Sequence, residues 1–179
     1  ENGLSDFVYS FNCGNSSNAL TITATSGNFS IPSINTWHHV ALTYDGITAT
    51  AYLDGVLLGS STVTGSLSGF NSVPMYIGNW QLQEDFNGNI DDVHIWNSAL
   101  SQSEIQLYMN CPPTGNEQGL VGYWNFEEGT GTTAYDQTSN GNNGTINGAT
   151  YDTNVPSQSC NLTNSNGCDS TAILNLTID

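Results

Sequence analysis

The adjacent carboxylates Glu127 and Glu128 are the first residues in this sequence that could support acid–base chemistry. Cleaving a glycosidic bond takes two carboxyl groups on either side of it, about 5 Å apart for retention and further apart for inversion. Neighbours in an extended chain point to opposite faces, so this pair cannot flank one bond. Serine is plentiful, but no G-x-S-x-G elbow presents one as a nucleophile. The histidines His38, His39 and His94 could suggest a metal cluster, yet alternation sends His38 and His39 to opposite faces. The residue chemistry therefore points to a protein that is not an enzyme.

Binding chemistry has a better candidate. Trp80 lies in the loop sequence GNWQLQED, beside Gln81 and Gln83. An exposed indole can stack on a sugar ring while flanking amides bond its hydroxyls. The alternative is a loop aromatic that covers the core. Trp37, Trp96 and Trp124 fall in apolar runs and read as core residues.

Cys13, Cys111, Cys160 and Cys168 show no CxxC spacing and have too few nearby histidines for a zinc site. They read as disulfides formed in an oxidising compartment, hence an extracellular or cell-surface protein. Four cysteines allow three pairings. The short separation of Cys160 and Cys168 favours that pair, which leaves Cys13 for Cys111.

Composition narrows the partners. The chain has 179 residues, 37% of them hydrophobic, which suits one all-β core with a short appendage. It contains 16 Asp and Glu and no Lys or Arg, for a formal charge of −16. Nothing can neutralise phosphates, so nucleic acid is excluded, and no apolar run of spanning length supports membrane insertion. Uncompensated carboxylates repel one another unless divalent cations lie between them, which invites calcium. Glu1 opens the chain without a starter Met or a signal peptide, as in a piece cut from a longer protein.

The elements that must position these residues are mostly strands. Period-two alternation marks residues 18–24 and 37–44. The dipeptides Asp45-Gly46 and Asp54-Gly55 predict a hairpin of residues 48–53 and 56–60. Further strands are expected at 74–78, 91–96, 120–126 and 144–151, between Gly and Asn clusters. One helix is predicted over 101–109, opened by an S-x-x-E capping box of Ser101 and Glu104. A last apolar strand is expected at 172–178.

The strings TWHHVALTYDG, AYLDG, MYIGN and FNGNIDDVHIWNSALSQSEI follow one another in the order and spacing of the laminin-G-like, concanavalin-A-like family, which this chain closely resembles. The stretch GLVGYWNFEEGTGTTAYDQTSNGNNGTINGA resembles the same family, so the likeness covers roughly residues 1–155. It implies an all-β fold, a concanavalin-A-like antiparallel β-sandwich (jelly roll) with one short helix. The sandwich is expected over residues 1–156. Residues 157–179 are expected to form a linker and a partial Cys-containing β repeat, similar to repeats near the ends of large secreted proteins of marine Bacteroidetes. The family's first apolar strand has no counterpart ahead of Glu1, which predicts an open sheet edge and a route to self-association.

The resemblance also implies a structural calcium ion. Asp91 matches a carboxylate near a closing strand, and Asp136 matches the Asp that precedes the Gly-Asn loop. With Asn140 and Asn143 they make the expected ligand set, since calcium takes six to eight oxygens from carboxylates, amides and carbonyls. The function so implied is an extracellular binding or adhesion module for a glycan or a surface protein. The alternatives are an accessory domain of a secreted polysaccharide-degrading enzyme, or a self-assembling, strand-exchanging surface or filament subunit.

Overall fold

A computed structural model describes residues 7–12, 19–24, 35–62, 74–80, 84–158 and 160, with backbone alone for the first two segments, Trp80 and residues 84–85. All strand pairing among them is antiparallel. β1 (Phe7–Asn12) pairs with β2 (Ala19–Ala24), and β3 (Val40–Tyr44), β4 (Thr48–Leu53) and β5 (Val56–Thr62) form a meander. β2 lies beside β4 and β5. β6 (Asn79–Trp80) pairs with β7 (Glu84–Asp85), β8 (Val93–Trp96) with β9 (Leu120–Trp124), and β10 (Thr133–Ala134) with β11 (Gly144–Thr145). The helix α1 (Gln102–Asn110) lies between β8 and β9 in the chain.

Turn chemistry sets the meander. Asp54 and Gly55 both take positive φ, 51° and 71°, the signature of the type I′ turn that matches the twist of its strands. At the preceding turn, Asp45 Oδ1 accepts from the amides of Ile47 (2.9 Å) and Thr48 (2.7 Å). Alternation along β4 buries Ala49 and Ala51, against which Tyr44 and Leu58 pack. Also buried are Ile105 of α1, Leu120, Tyr123 and Trp124 of β9, and Ala134 of β10.

The helix begins as the capping box dictates. Ser101 Oγ accepts from the Glu104 amide, and Glu104 Oε2 accepts from the Ser101 amide at 2.7 Å. Hydrogen bonds from Ser101 hold the Glu104 carboxyl below its ordinary range. The helix docks on the hairpin, where Gln102 Nε2 and Gln106 Nε2 both donate to the Gly55 carbonyl at 2.9 Å.

Several expected strands are shorter or displaced. Residues 74–78 are not a strand: Pro74 has no amide to donate, and Gly78 turns the chain at φ 77°, so pairing starts at Asn79. Asp92 at φ 48° and Phe126 at φ 53° lie off the extended backbone, which delays β8 to Val93 and ends β9 at Trp124. The expected strand at 144–151 is reduced to β11, and β1 had no sequence signal assigned to it. The expected strand at 172–178 lies outside the described residues.

Candidate binding surface

The loop after β9 is built around one carboxylate. Asp136 is buried, and both its oxygens are engaged by the chain's own donors. Oδ1 accepts from the amides of Tyr123 and Thr138, both at 3.0 Å, and Oδ2 from the Thr138 hydroxyl (2.9 Å) and the Asn142 amide (2.8 Å). Burial alone would raise its pKa, but these hydrogen bonds outweigh it and hold the carboxyl below the usual range. The loop then follows the outer edge of β9 as a strand would. Gln137 N donates to Tyr123 O at 2.7 Å, and the side-chain amides of Asn140 (2.9 Å) and Asn142 (3.0 Å) both reach Val121 O. Trp124 Nε1 donates to Asn142 O at 3.0 Å, and the Asp136 amide donates to Asn143 Oδ1 at 3.0 Å.

This framework turns Tyr135 outward. Its neighbours Ala134 and Asp136 are buried, whereas Tyr135 is 53% exposed. Its amide donates to Glu128 Oε1 at 2.7 Å, and its carbonyl accepts from Gln137 Nε2 at 3.1 Å. The other Glu128 oxygen accepts from the Tyr151 hydroxyl at 2.9 Å, which also lies 3.3 Å from Thr133 O. Desolvation and the bond to Glu128 hold the Tyr151 phenol above its ordinary value, so it stays a donor.

A second polar group lies where β8 meets the C-terminal segment. The Tyr123 hydroxyl donates to Asp92 Oδ1 at 2.7 Å, and Gln158 Nε2 donates to Asp92 Oδ2. Asp91 Oδ1 accepts from the Asp92 amide, while Asp91 Oδ2 is buried without a hydrogen-bond partner. Burial, then the charges of Asp92 and Glu127, raises the Asp91 carboxyl to about 6. His94 is boxed by the rings of Tyr123, Trp96 and Tyr108 at 5.6, 6.4 and 6.5 Å, and burial lowers it to about 4. It therefore stays neutral at physiological pH.

The C-terminal segment is fastened over this region. Asn154 O accepts from Asn89 Nδ2, Gln158 holds Asp92, and Cys160 forms a disulfide with Cys111, the residue that ends α1. The expected pairs Cys160–Cys168 and Cys13–Cys111 are thereby corrected. Sequence separation measures only the cost of closing a loop, whereas packing of residues 151–158 brings Cys160 within 4.6 Å (Cα–Cα) of Cys111. Cys13 and Cys168 lie outside the described residues.

The residues expected to bind calcium divide in two. Asp136, Asn140 and Asn143 do share one loop, but as the hydrogen-bonding frame of that loop. Four donors already engage the Asp136 carboxylate, so the set does not fit a calcium cage in this conformation. Asp91 hydrogen-bonds to Asp92, and no hydrogen bond links it to that loop among the described residues. No group of three or more His, Cys, Asp or Glu there is arranged to hold a metal. The Trp80 side chain, Gln81 and Gln83 lie outside the described residues.

The histidines do separate. His38 Nδ1 lies 2.8 Å from Asp54 Oδ2 at the surface, whereas His39 Nδ1 is buried, and His39 is near enough to His94 to lower its pKa further. Glu127 and Glu128 have different partners, although they lie in a turn beyond β9 and not on a strand, so alternation is not the reason: Glu128 holds Tyr135 and Tyr151, while Glu127 acts on Asp91. Sequence reasoning missed Tyr135. The available signal was a lone aromatic between two residues that pack inward.

A solved chain from Bacteroides ovatus ATCC 8483, a candidate carbohydrate-binding protein, superposes with a TM-score of 0.52 at 22% identity, covering 72% of this chain and 38% of that one. An S-layer domain-containing protein (residues 221–444) from Clostridium thermocellum ATCC 27405 matches with a TM-score of 0.41 at 27% identity, covering 56% of this chain and 50% of that one. The chain thus spans half or less of the length of each. No curated protein sequence matches it significantly. The family model of the concanavalin A-like lectin/glucanases superfamily, of laminin G type, matches residues 4–106. That match stops short of the 1–155 read from sequence, although β9, beyond it, pairs with β8 within it. Covering more than half of the 179 residues, it shows that the chain belongs to the concanavalin A-like lectin/glucanases superfamily.

Proposed function

We propose that this chain is a non-catalytic extracellular binding module whose ligand is a glycan. The observation that carries this reading is how its carboxylates are used. Asp136, Glu128, Glu117 and Glu104 all accept hydrogen bonds from the chain's own backbone or hydroxyls, in caps and loop frames. A glycosidase needs an opposed pair open to substrate, whereas a lectin-type module needs a rigid frame that presents side chains outward. The Cys111–Cys160 disulfide favours an oxidising, extracellular setting. The fold neighbour from Bacteroides ovatus agrees in class, through likeness of fold only.

Two assays on the 179-residue chain test the reading. A glycan array should give hits, and incubation with soluble polysaccharides should release no reducing ends. Sustained release would overturn the non-catalytic reading, and an empty array would overturn the glycan ligand.

Calcium is a separate proposal, and on this geometry it rests on Asp91, whose Oδ2 is the open buried oxygen. Millimolar calcium should then raise the melting temperature by mass action, and Asp91→Ala should abolish the rise while Asp136→Asn preserves it. A melting temperature indifferent to calcium and to chelator would remove the ion from the account.

A further inference from the structure

We propose that Tyr135, Glu128 and Tyr151 form a binding site for neutral glycans, with the Tyr135 ring as the stacking platform. This deepens the binding reading above and rests on it. The site lies beyond the residues that the family model matches.

The platform is preorganised. A phenol ring 53% exposed would ordinarily fold back onto the nearest apolar surface, but Tyr135 sits between two buried residues that fix its direction. Its amide is bonded to Glu128 and its carbonyl to Gln137, so both backbone polar groups are already satisfied. Asp136, the next residue, is held by four donors. A ligand stacking on this ring therefore need not order the backbone beneath it, which matters most where contacts are few.

The polar side chains held at the Tyr135 backbone and beside it are two acceptors, Glu128 and Tyr151, and one amide, that of Gln137. Each Glu128 oxygen receives one hydrogen bond from the protein, from Tyr135 N–H or from Tyr151 O–H, and a carboxylate oxygen has a second lone pair. The Tyr151 hydroxyl gives its proton to Glu128, which leaves its oxygen to accept. Such a surface suits a ligand rich in O–H donors with a C–H face for the ring, which describes a hexose or pentose. Charge narrows the class. With no Lys or Arg and a formal charge of −16, the chain has no strong cation for a uronate or a sulfate and repels both. The ligand class is therefore uncharged polysaccharide, bound weakly per site and detectable on a polymer that repeats the unit.

Native affinity electrophoresis of the full chain tests this, in gels carrying β-glucan, mannan or xylan, with alginate as the anionic probe. Retardation is expected in a neutral gel and not in alginate. Tyr135→Ala should weaken it roughly tenfold, while Tyr135→Phe, which keeps the ring, should stay within about twofold. Tyr135 is exposed, so the melting temperature of both variants should match the parent and exclude misfolding as the cause. Undiminished retardation of Tyr135→Ala, or its loss in Trp80→Ala instead, would overturn this site while the glycan reading stands. Retardation by alginate alone would overturn the neutral class, and no retardation in any gel would overturn both.

Discussion

The Asp136 carboxylate accepts the amide proton of Tyr123 at 3.0 Å, so a side chain supplies the partner that the edge of β9 would otherwise find in another strand. The same carboxylate takes two further amides and a hydroxyl from its own loop. Asp136→Ala should therefore cost about 3 kcal/mol, because buried N–H groups lose their acceptor. Asp136→Asn, which keeps one acceptor oxygen, should cost less, and denaturant unfolding would order the pair. The lowered pKa means that this stability is present above the unfolded value and is lost as pH falls through the folded one.

Reducing the Cys111–Cys160 bridge should destabilise the fold by about 4 kcal/mol on the chain-entropy account, given its separation of 49 residues. Mapping after cleavage at Asp and Glu, since the chain has no Lys or Arg, should recover Cys111 linked to Cys160. A Cys160–Cys168 peptide would contradict the structure.

Asp91 and His94 give opposite pH dependences. The Asp91 carboxyl, raised from 3.8 to about 6, is costly when ionised, so its penalty shrinks as pH falls from about 6 and is gone only below the ordinary value of 3.8. Asp91→Asn should stabilise the protein by roughly 1 kcal/mol at neutral pH, allowing for solvent screening at a half-buried group, and have little effect at low pH. His94, lowered to about 4, stays neutral in the fold while the unfolded chain takes up a proton below its ordinary value of 6.5. Stability is thus lost as pH falls between those values, on the order of 3 kcal/mol, and His94→Phe should remove that loss. Thermal melts from acid to neutral pH would separate the two.

Gly55 is needed twice over. Its φ is 71°, and a Cβ there would lie 2.7 Å from Gln106 Cγ. Gly55→Ala should cost about 2 kcal/mol by straining the turn and displacing Gln106 from the Gly55 carbonyl. Gln102→Ala and Gln106→Ala should each cost little alone and more together, because both amides serve one oxygen. Chemical denaturation of the double-mutant cycle measures the coupling.

Where local rules act on few residues, the sequence alone determined the outcome. The hairpin of β4 and β5, the Ser101–Glu104 cap and the all-antiparallel class follow from turn dipeptides, a capping box and alternation, whose physics spans only a few positions. Tertiary structure alone decided which cysteines meet, that Asp136 faces amides, and that Tyr135 is the aromatic held outward among the described residues of its loop. Asp136 and Asn143 were read from sequence as ion ligands because oxygen donors look alike on paper, and a carboxylate serves an ion or a row of N–H groups equally well. Which it serves depends on what distant backbone is carried close to it, and the amides of β9 and of its own loop lie at 3.0 Å.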